Sequence, residues 1–403
     1  MSAGLNGTVL NDRRRLTDLG GSISEELRAK SIVILREAEI NPVIPIKGTD
    51  TIIFLDIGGT NARVISVTRG KITSSTSHPL GEIRRRAIDA GHGDKNPLVQ
   101  LGYGLALGVE CSQRAHLGSV WSNNFKVILG GSPCICIGGS DKGEFFAKAL
   151  ADGVDVAALI SEGFRLAGID VQSFQAVNDT TALAGLHSRA VATFVGSTGA
   201  NVCRVVRNPD GSITLYNLEN GRKLLFPAAG LYQSDPEVGQ AIDTVQIQQL
   251  CSGKWLPGVF LRRLQTVQPL IYSKLDISDT DVPRILSHIL GHTARGSDIL
   301  VKLDAHERKI VTHTARHIAA RGGVIGATMI ISALQADDYT PHQDGRDVVV
   351  VDSSQAEHLK PYKRALEFGI QRAFGGKLSL EFASRGDKEL SPPARGLMSL
   401  LQS

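Results

Sequence analysis

The sequence predicts an α/β protein of two lobes, each a mixed sheet flanked by helices. Three observations carry that expectation. Thr51 to Val67, TIIFLDIGGTNARVISV, reads as an apolar β-branched strand, a glycine-rich tip and a second strand from about Arg63. Val191 to Val206, VATFVGSTGANVCRVV, repeats that layout in the other half of the chain. The 403 residues also exceed what one hydrophobic core usually supports, so two domains are expected.

The tip of the first hairpin has the composition of a phosphate and metal site. Gly58 and Gly59 lack Cβ atoms and let backbone N–H groups approach anionic oxygens. Thr60, Asn61 and Arg63 add donors, and Asp56 is suited to orient a Mg²⁺ through its waters. Thr198 and Gly199 stand at the matching tip of the second hairpin. Taken singly, either tip is equally an ordinary turn, with glycines for positive φ and Asp56 as a turn residue. The repetition favours one nucleotide held by both.

At this point the sequence resembles the hexokinases, within the sugar kinase, actin and Hsp70 superfamily. LDIGGTNARV is similar to their first phosphate loop, and Ala176 to Gly185, AVNDTTALAG, to their sugar-and-base segment. The resemblance runs with gaps from about Ile23 to Leu401. It implies the two-lobed actin-like ATPase (ribonuclease H-like) fold with ATP and Mg²⁺ as cofactors. Residues 51–178 with 391–403 would form a small lobe, and 1–50 with 179–390 a large one. A hinge is expected near Val177 to Thr180.

In chain order, Ile23 to Ala38 reads as an amphipathic helix opened by Ser24, and Asn41 to Gly48, with two prolines, as a linker. The arginines of Leu80 to Pro97 read as a solvated helix face. Leu101 to Cys111 alternates weakly and reads as a strand, with Leu117 to Lys126 following. Asp141 to Gly168 holds one or two helices, broken at Gly153. The strand Val171 to Val177 delivers Asn178 and Asp179 into a helix from Thr181 to Arg189. Gln248 to Leu264 reads as a helix pair, and Ser297 to Asp304 with Ile310 to Ala333 as a helical region. The strand Asp347 to Val351, the helix Lys360 to Phe374 and the strand Leu378 to Phe382 complete the order.

The resemblance assigns roles residue by residue. Asp179 occupies the position of the hexokinase general base and Asn178 that of a neighbouring hydroxyl ligand. The bare tetrapeptide Val177 to Thr180 also fits a plain helix cap. Ser122, beside Trp121 and Phe125, fits a sugar-contacting segment in which Asn123 replaces the family's lysine. Asn201 and Glu219 fit sugar ligands, and Gln248 stands where most hexokinases place a second glutamate. Ser353 sits in the adenosine loop, in place of the usual glycine. Gly108 and Glu110 replace Ser and Pro, and Pro392 and Pro393 enter the last helix where the family carries a glycine-rich turn.

Composition narrows the classes further. An apolar fraction of 42% with 21% charged residues fits a soluble globular protein. A net charge of +4 is too mild to imply a nucleic-acid partner. Five cysteines without zinc-site spacing read as reduced thiols of a cytoplasmic protein. No run of about 18 apolar residues is evident to span a bilayer. The polar N-terminus lacks the apolar stretch of a signal peptide. His313 and His317, i and i+4, lack the H-E-x-x-H pattern and read as helix-face residues.

The expected function is an ATP-dependent hexose kinase with a small-molecule sugar substrate, glucose or a relative such as N-acetylglucosamine. The alternative is a catalytically weak hexokinase-like sugar sensor, suggested by the substitutions at 108, 123, 248, 353 and 392–393. An actin- or Hsp70-like ATPase without a sugar substrate is a third reading. The Asn-Asp-Thr and Asn-x-Glu segments count against it. Oligomeric state is not legible.

Overall fold

The computed structural model describes residues 30, 39–40, 46, 51–57, 61–69, 71–109, 114–121, 127–129, 132–139, 145–150, 156–197, 199–209, 212–218, 220–227, 244–342, 344–383 and 390–402. Two compact units result. One comprises Asn41–Ser188, Arg207–Leu215 and Ala383–Ser403, and the other Met1–Ile40, Arg189–Val206 and Tyr216–Phe382.

The first unit is built on a sheet of β1 (Thr51–Ile57), β2 (Asn61–Thr68), β3 (Lys71–Pro79), β4 (Arg114–Trp121) and β5 (Asp170–Asn178). Its spatial order is β3-β2-β1-β4-β5. The β1–β2 and β2–β3 pairs are antiparallel, whereas β4 and β5 add in parallel. Alternation along β1 divides its side chains between two cores. Ile53, Leu55 and Ile57 pack with Ile83, Leu101, Leu105, Ile160 and Phe164 on one face. Ile52 and Phe54 face the other way, onto Ala394, Leu397 and Leu401 of the C-terminal helix Pro392–Gln402. Asp56 continues this second series.

The second unit repeats the topology. Its sheet holds β6 (Ala190–Gly196), β7 (Ala200–Arg207), β8 (Ile213–Asn217), β9 (Asp347–Asp352) and β10 (Leu378–Phe382), in the order β8-β7-β6-β9-β10. The two-residue strand Glu39–Ile40 adds at the β8 edge. Again the leading hairpin is antiparallel and the last two strands are parallel. Both units are therefore mixed sheets with one strand order, flanked by helices.

The core of this second unit gathers Phe194, Phe260, Met329, Ile330, Tyr362 and Leu366. The helix Ala305–Gln335 supplies much of it and starts at a capping box of Asp304 and Glu307. Among the described residues it is the one helix long and apolar enough to cross a membrane, and 61% of that window is buried in the fold. Its small side chains make it a core helix. His313 and His317 lie on it, and no group of three His, Cys, Asp or Glu residues fit for a metal occurs among the described residues.

Three local expectations are corrected. Leu101 lies in the helix Pro97–Ala106, not in a strand, because Asn96 accepts the Leu98 N–H and Pro97 takes the first helical position. Phe145–Leu150 is a strand rather than a helix, paired antiparallel with Ser132–Gly139. The helix expected from Thr181 to Arg189 is one α-turn, Asp179–Ala182, tightened into a 3₁₀ turn, Leu183–Leu186. The turn packs closely: a Cβ at Gly185 would lie 2.0 Å from the Gly396 carbonyl oxygen. The apolar helix Ala305–Gln335 is interrupted by Arg321 and is packed inside the fold, in keeping with the absence of an unbroken apolar run. The helix expected at Ile23 to Ala38 and the linker Asn41 to Gly48 lie outside the described residues, apart from Lys30, Ile46 and the strand Glu39–Ile40.

Candidate functional site

Two constellations form, one in each unit. In the first, the parallel strands end together: Asp56 pairs in register with Val120, Val120 with Val177, and Trp121 with Asn178. Asp56 and Asn178 therefore stand at one edge of the sheet, two strands or about 10 Å apart. Open α/β sheets bind ligands outside the carboxyl ends of their strands, and this is such an edge.

Asp56 is held by long-range contacts. Its side chain is 16% exposed, with Arg63 across the hairpin at 3.8 Å. The Ser391 hydroxyl hydrogen-bonds the carboxylate. Ser391 also accepts the Ala394 N–H at 3.3 Å, which anchors the start of the C-terminal helix. Burial pushes the Asp56 carboxyl above its ordinary range, against the lowering influence of Ser391 and then Arg63. A cation or a magnesium-bound water placed here would relieve that penalty, so a single buried carboxylate fits a water-mediated Mg²⁺.

Asn178 ends β5 and is the cap of the short helix: its backbone is extended and its Oδ1 accepts the Thr180 N–H at 2.9 Å. Asp179 is the first helical residue, half-buried, and its Oδ1 also accepts the Thr180 N–H, at 2.8 Å. Both side chains thus meet the Thr180 N–H, and Asp179 Oδ1 also accepts from the Thr180 hydroxyl at 3.3 Å.

In the second unit, the tip of the β6–β7 hairpin is closed by the Ser197 N–H donating to the Gly199 carbonyl at 3.0 Å. Its base is fixed by Ser353, which donates to the Gly196 carbonyl at 2.8 Å and accepts the Ala356 N–H. The Gly253 N–H donates to the Ser197 carbonyl at 2.6 Å. Around Gly199 lies a set of neutral amides. Asn201 donates to Asn217 Oδ1 at 2.7 Å, and Asn220 Oδ1 accepts the Val202 N–H. Gln248, 9% exposed, lies so close that a Cβ at 199 would sit 3.0 Å from its Oε1.

The structure thus brings Asp56, Asn61, Arg63, Asn178 and Asp179 into one unit, and Gly199, Asn201, Gln248 and Ser353 into the other. Gly58, Gly59, Thr60, Ser122, Asn123, Thr198 and Glu219 lie outside the described residues. Ser391, Asn217, Asn220 and Gln246 were not singled out from the sequence. Asn217 and Asn220 flank Glu219 in the segment that suggested a sugar ligand, whereas Ser391 carried no local signal.

Solved structures share this fold. A hexokinase from Schistosoma mansoni complexed with glucose superposes with a TM-score of 0.61 at 16% identity, over 95% of this chain and 95% of that one. Another hexokinase gives a TM-score of 0.64 at 18% identity, over 96% of each chain. The chain has the hexokinase fold. It is thereby an actin-like ATPase fold, two α/β units each opening on a hairpin. No protein-family profile matches the sequence, and no curated protein matches it. At such identities the likeness fixes the fold, and the chemistry has to come from the residues.

Proposed function

We propose that the protein is an ATP-dependent sugar kinase, transferring the γ-phosphoryl group of ATP to the 6-hydroxyl of a hexose, either glucose or a relative such as N-acetylglucosamine. The observation that carries this reading is the pair of carboxylates on one strand-end edge. Asp179 opens the short helix, its Oδ1 sharing the Thr180 N–H with Asn178, and Asp56 is buried with a raised proton affinity. Asp179 takes the proton of the sugar hydroxyl as its oxygen attacks the γ-phosphorus, and ADP leaves. Asn178, Asn201 and Gln248 bind sugar hydroxyls, joined by Ser122, Asn123 and Glu219.

Phosphate oxygens are held by the hairpin tips, through Gly58, Gly59, Thr60, Asn61 and Arg63 of the first and Thr198 and Gly199 of the second. Ser353 supports the nucleotide by fixing the base of the second hairpin. Asp56 would hold Mg²⁺ through its waters, and the ion would neutralise charge developing on the phosphates. ADP release coupled to glucose or N-acetylglucosamine tests the proposal. Turnover with either sugar supports it, and hydrolysis of ATP indifferent to any sugar contradicts it.

One observation favours the alternative of a sugar sensor. At Gly108, where hexokinases have serine, a Cβ would meet Thr76 Oγ1 at 2.9 Å, so a serine there would need its neighbours to shift. Sugar binding without phosphoryl transfer would establish that reading.

A further inference from the structure

We propose that Gln246 is a positioning residue of the sugar site, selecting the sugar through Gln248; the inference deepens the reading above and rests on it. The Gln248 side chain donates from Nε2 to Gln246 Oε1 at 2.5 Å. An amide has a donor end and an acceptor end, and a partner that takes the donor leaves the acceptor to face the other way. With Nε2 turned to Gln246, the Gln248 carbonyl oxygen lies against Gly199 of the second hairpin.

Gln246 is itself well placed to impose this. It pairs with Leu225 at the end of a two-stranded ladder, and its backbone N–H donates to Gln249 Oε1 at 2.8 Å. Ladder and helical turn are thereby joined on both sides of Gln248. A carboxylate at 248 would have no hydrogen to give, and the Gln246 amide would have to turn and donate from its own Nε2. The two glutamines therefore act as a matched pair. Asn201, Asn217 and Asn220 add further amides among the described residues of this unit. Amides read a sugar by paired donors and acceptors, so their orientation contributes to selection beside the Glu219 carboxylate.

The inference predicts an effect on sugar affinity and none on the transfer step. Sugar binding is measured calorimetrically without nucleotide, with glucose and N-acetylglucosamine as probes, and turnover is measured separately. Gln246→Leu should weaken binding about five- to tenfold, the value of one hydrogen bond, while kcat stays within about twofold. Gln246→Glu keeps an acceptor for Gln248 Nε2 and should bind within about threefold of wild type. In a Gln248→Leu background the Gln246→Leu change should have no further effect. Unchanged affinity in Gln246→Leu, or an equal loss in the Gln248→Leu background, would overturn the inference. So would equal losses in the Leu and Glu variants with a lowered melting temperature, the mark of a structural role. Wild-type binding without turnover sinks the kinase reading alone, since the binding cycle still decides Gln246. Wild-type binding of neither sugar overturns both.

Discussion

Asn178 caps the helix that Asp179 opens. Asn178 Oδ1 stands 2.9 Å from the Thr180 N–H at the end of a strand, and Asp179 follows as the first helical residue. A carboxylate in the first turn is favoured by the helix dipole whatever its function, so the two side chains separate experimentally. Asn178→Ala should cost about 1 kcal/mol of stability, the typical value of a lost cap. Urea unfolding measures this, and a change below a few tenths would contradict the assignment.

Asp56 sets a second expectation, through pH. Its carboxyl is raised by burial in the folded state, so between its ordinary value and the raised one the native protein binds more protons than the unfolded chain. Stability contributed by this group is therefore present at low pH and falls as pH rises through that window. Asp56→Asn should melt higher than wild type at neutral pH, with the gap closing toward the ordinary carboxylate range. Scanning calorimetry across pH reads the sign directly.

Asp281 behaves in the opposite sense. The Arg295 guanidinium lies against it, with Nε 2.7 Å from Oδ1, and Ser278 donates both its hydroxyl and its N–H. These bonds hold the Asp281 carboxyl well below the usual range. The folded state thus releases this proton more readily, so its contribution is present above the ordinary carboxylate value and is lost as pH falls below it. Asp281→Asn should lower the melting temperature at neutral pH and make the acid side of the profile shallower. An unchanged acid limb would refute it.

A steric test addresses the seat of the C-terminal helix. A Cβ at Gly396 would stand 2.1 Å from the Ala182 carbonyl oxygen, too close for rotamer relief. Gly396→Ala should destabilise by about 1–3 kcal/mol, as overpacking usually does. Because Asp56 bonds Ser391 at the start of that helix, weaker phosphoryl transfer should accompany it. Denaturation and turnover are measured together, and full stability would contradict the close approach.

The paired hairpins were legible because β-branched runs around a glycine tip admit few other structures, and β1–β2 and β6–β7 are found there. Lys360–Phe374 and Leu378–Phe382 also fall where the pattern put them. Leu101 was misread because leucine and glycine at alternate positions imitate a strand, while the decisive signal, Asn96 followed by Pro97, lies upstream. Phe145–Leu150 is apolar enough for either state, and pairing with a neighbouring strand decides it. In the site, Asp56 and Asn178 could be singled out from their local settings. Ser391 and Gln246 could not, because they act through partners that only the fold supplies.

The central claim is that Asp179 takes a proton from a sugar hydroxyl. The most direct measurement is sugar-dependent ADP release by Asp179→Asn beside wild type, with sugar affinity determined on both. The account predicts a loss of about 10²- to 10⁴-fold in turnover, the range of a general base, with sugar affinity within a few-fold. Turnover unaffected by the substitution would contradict it.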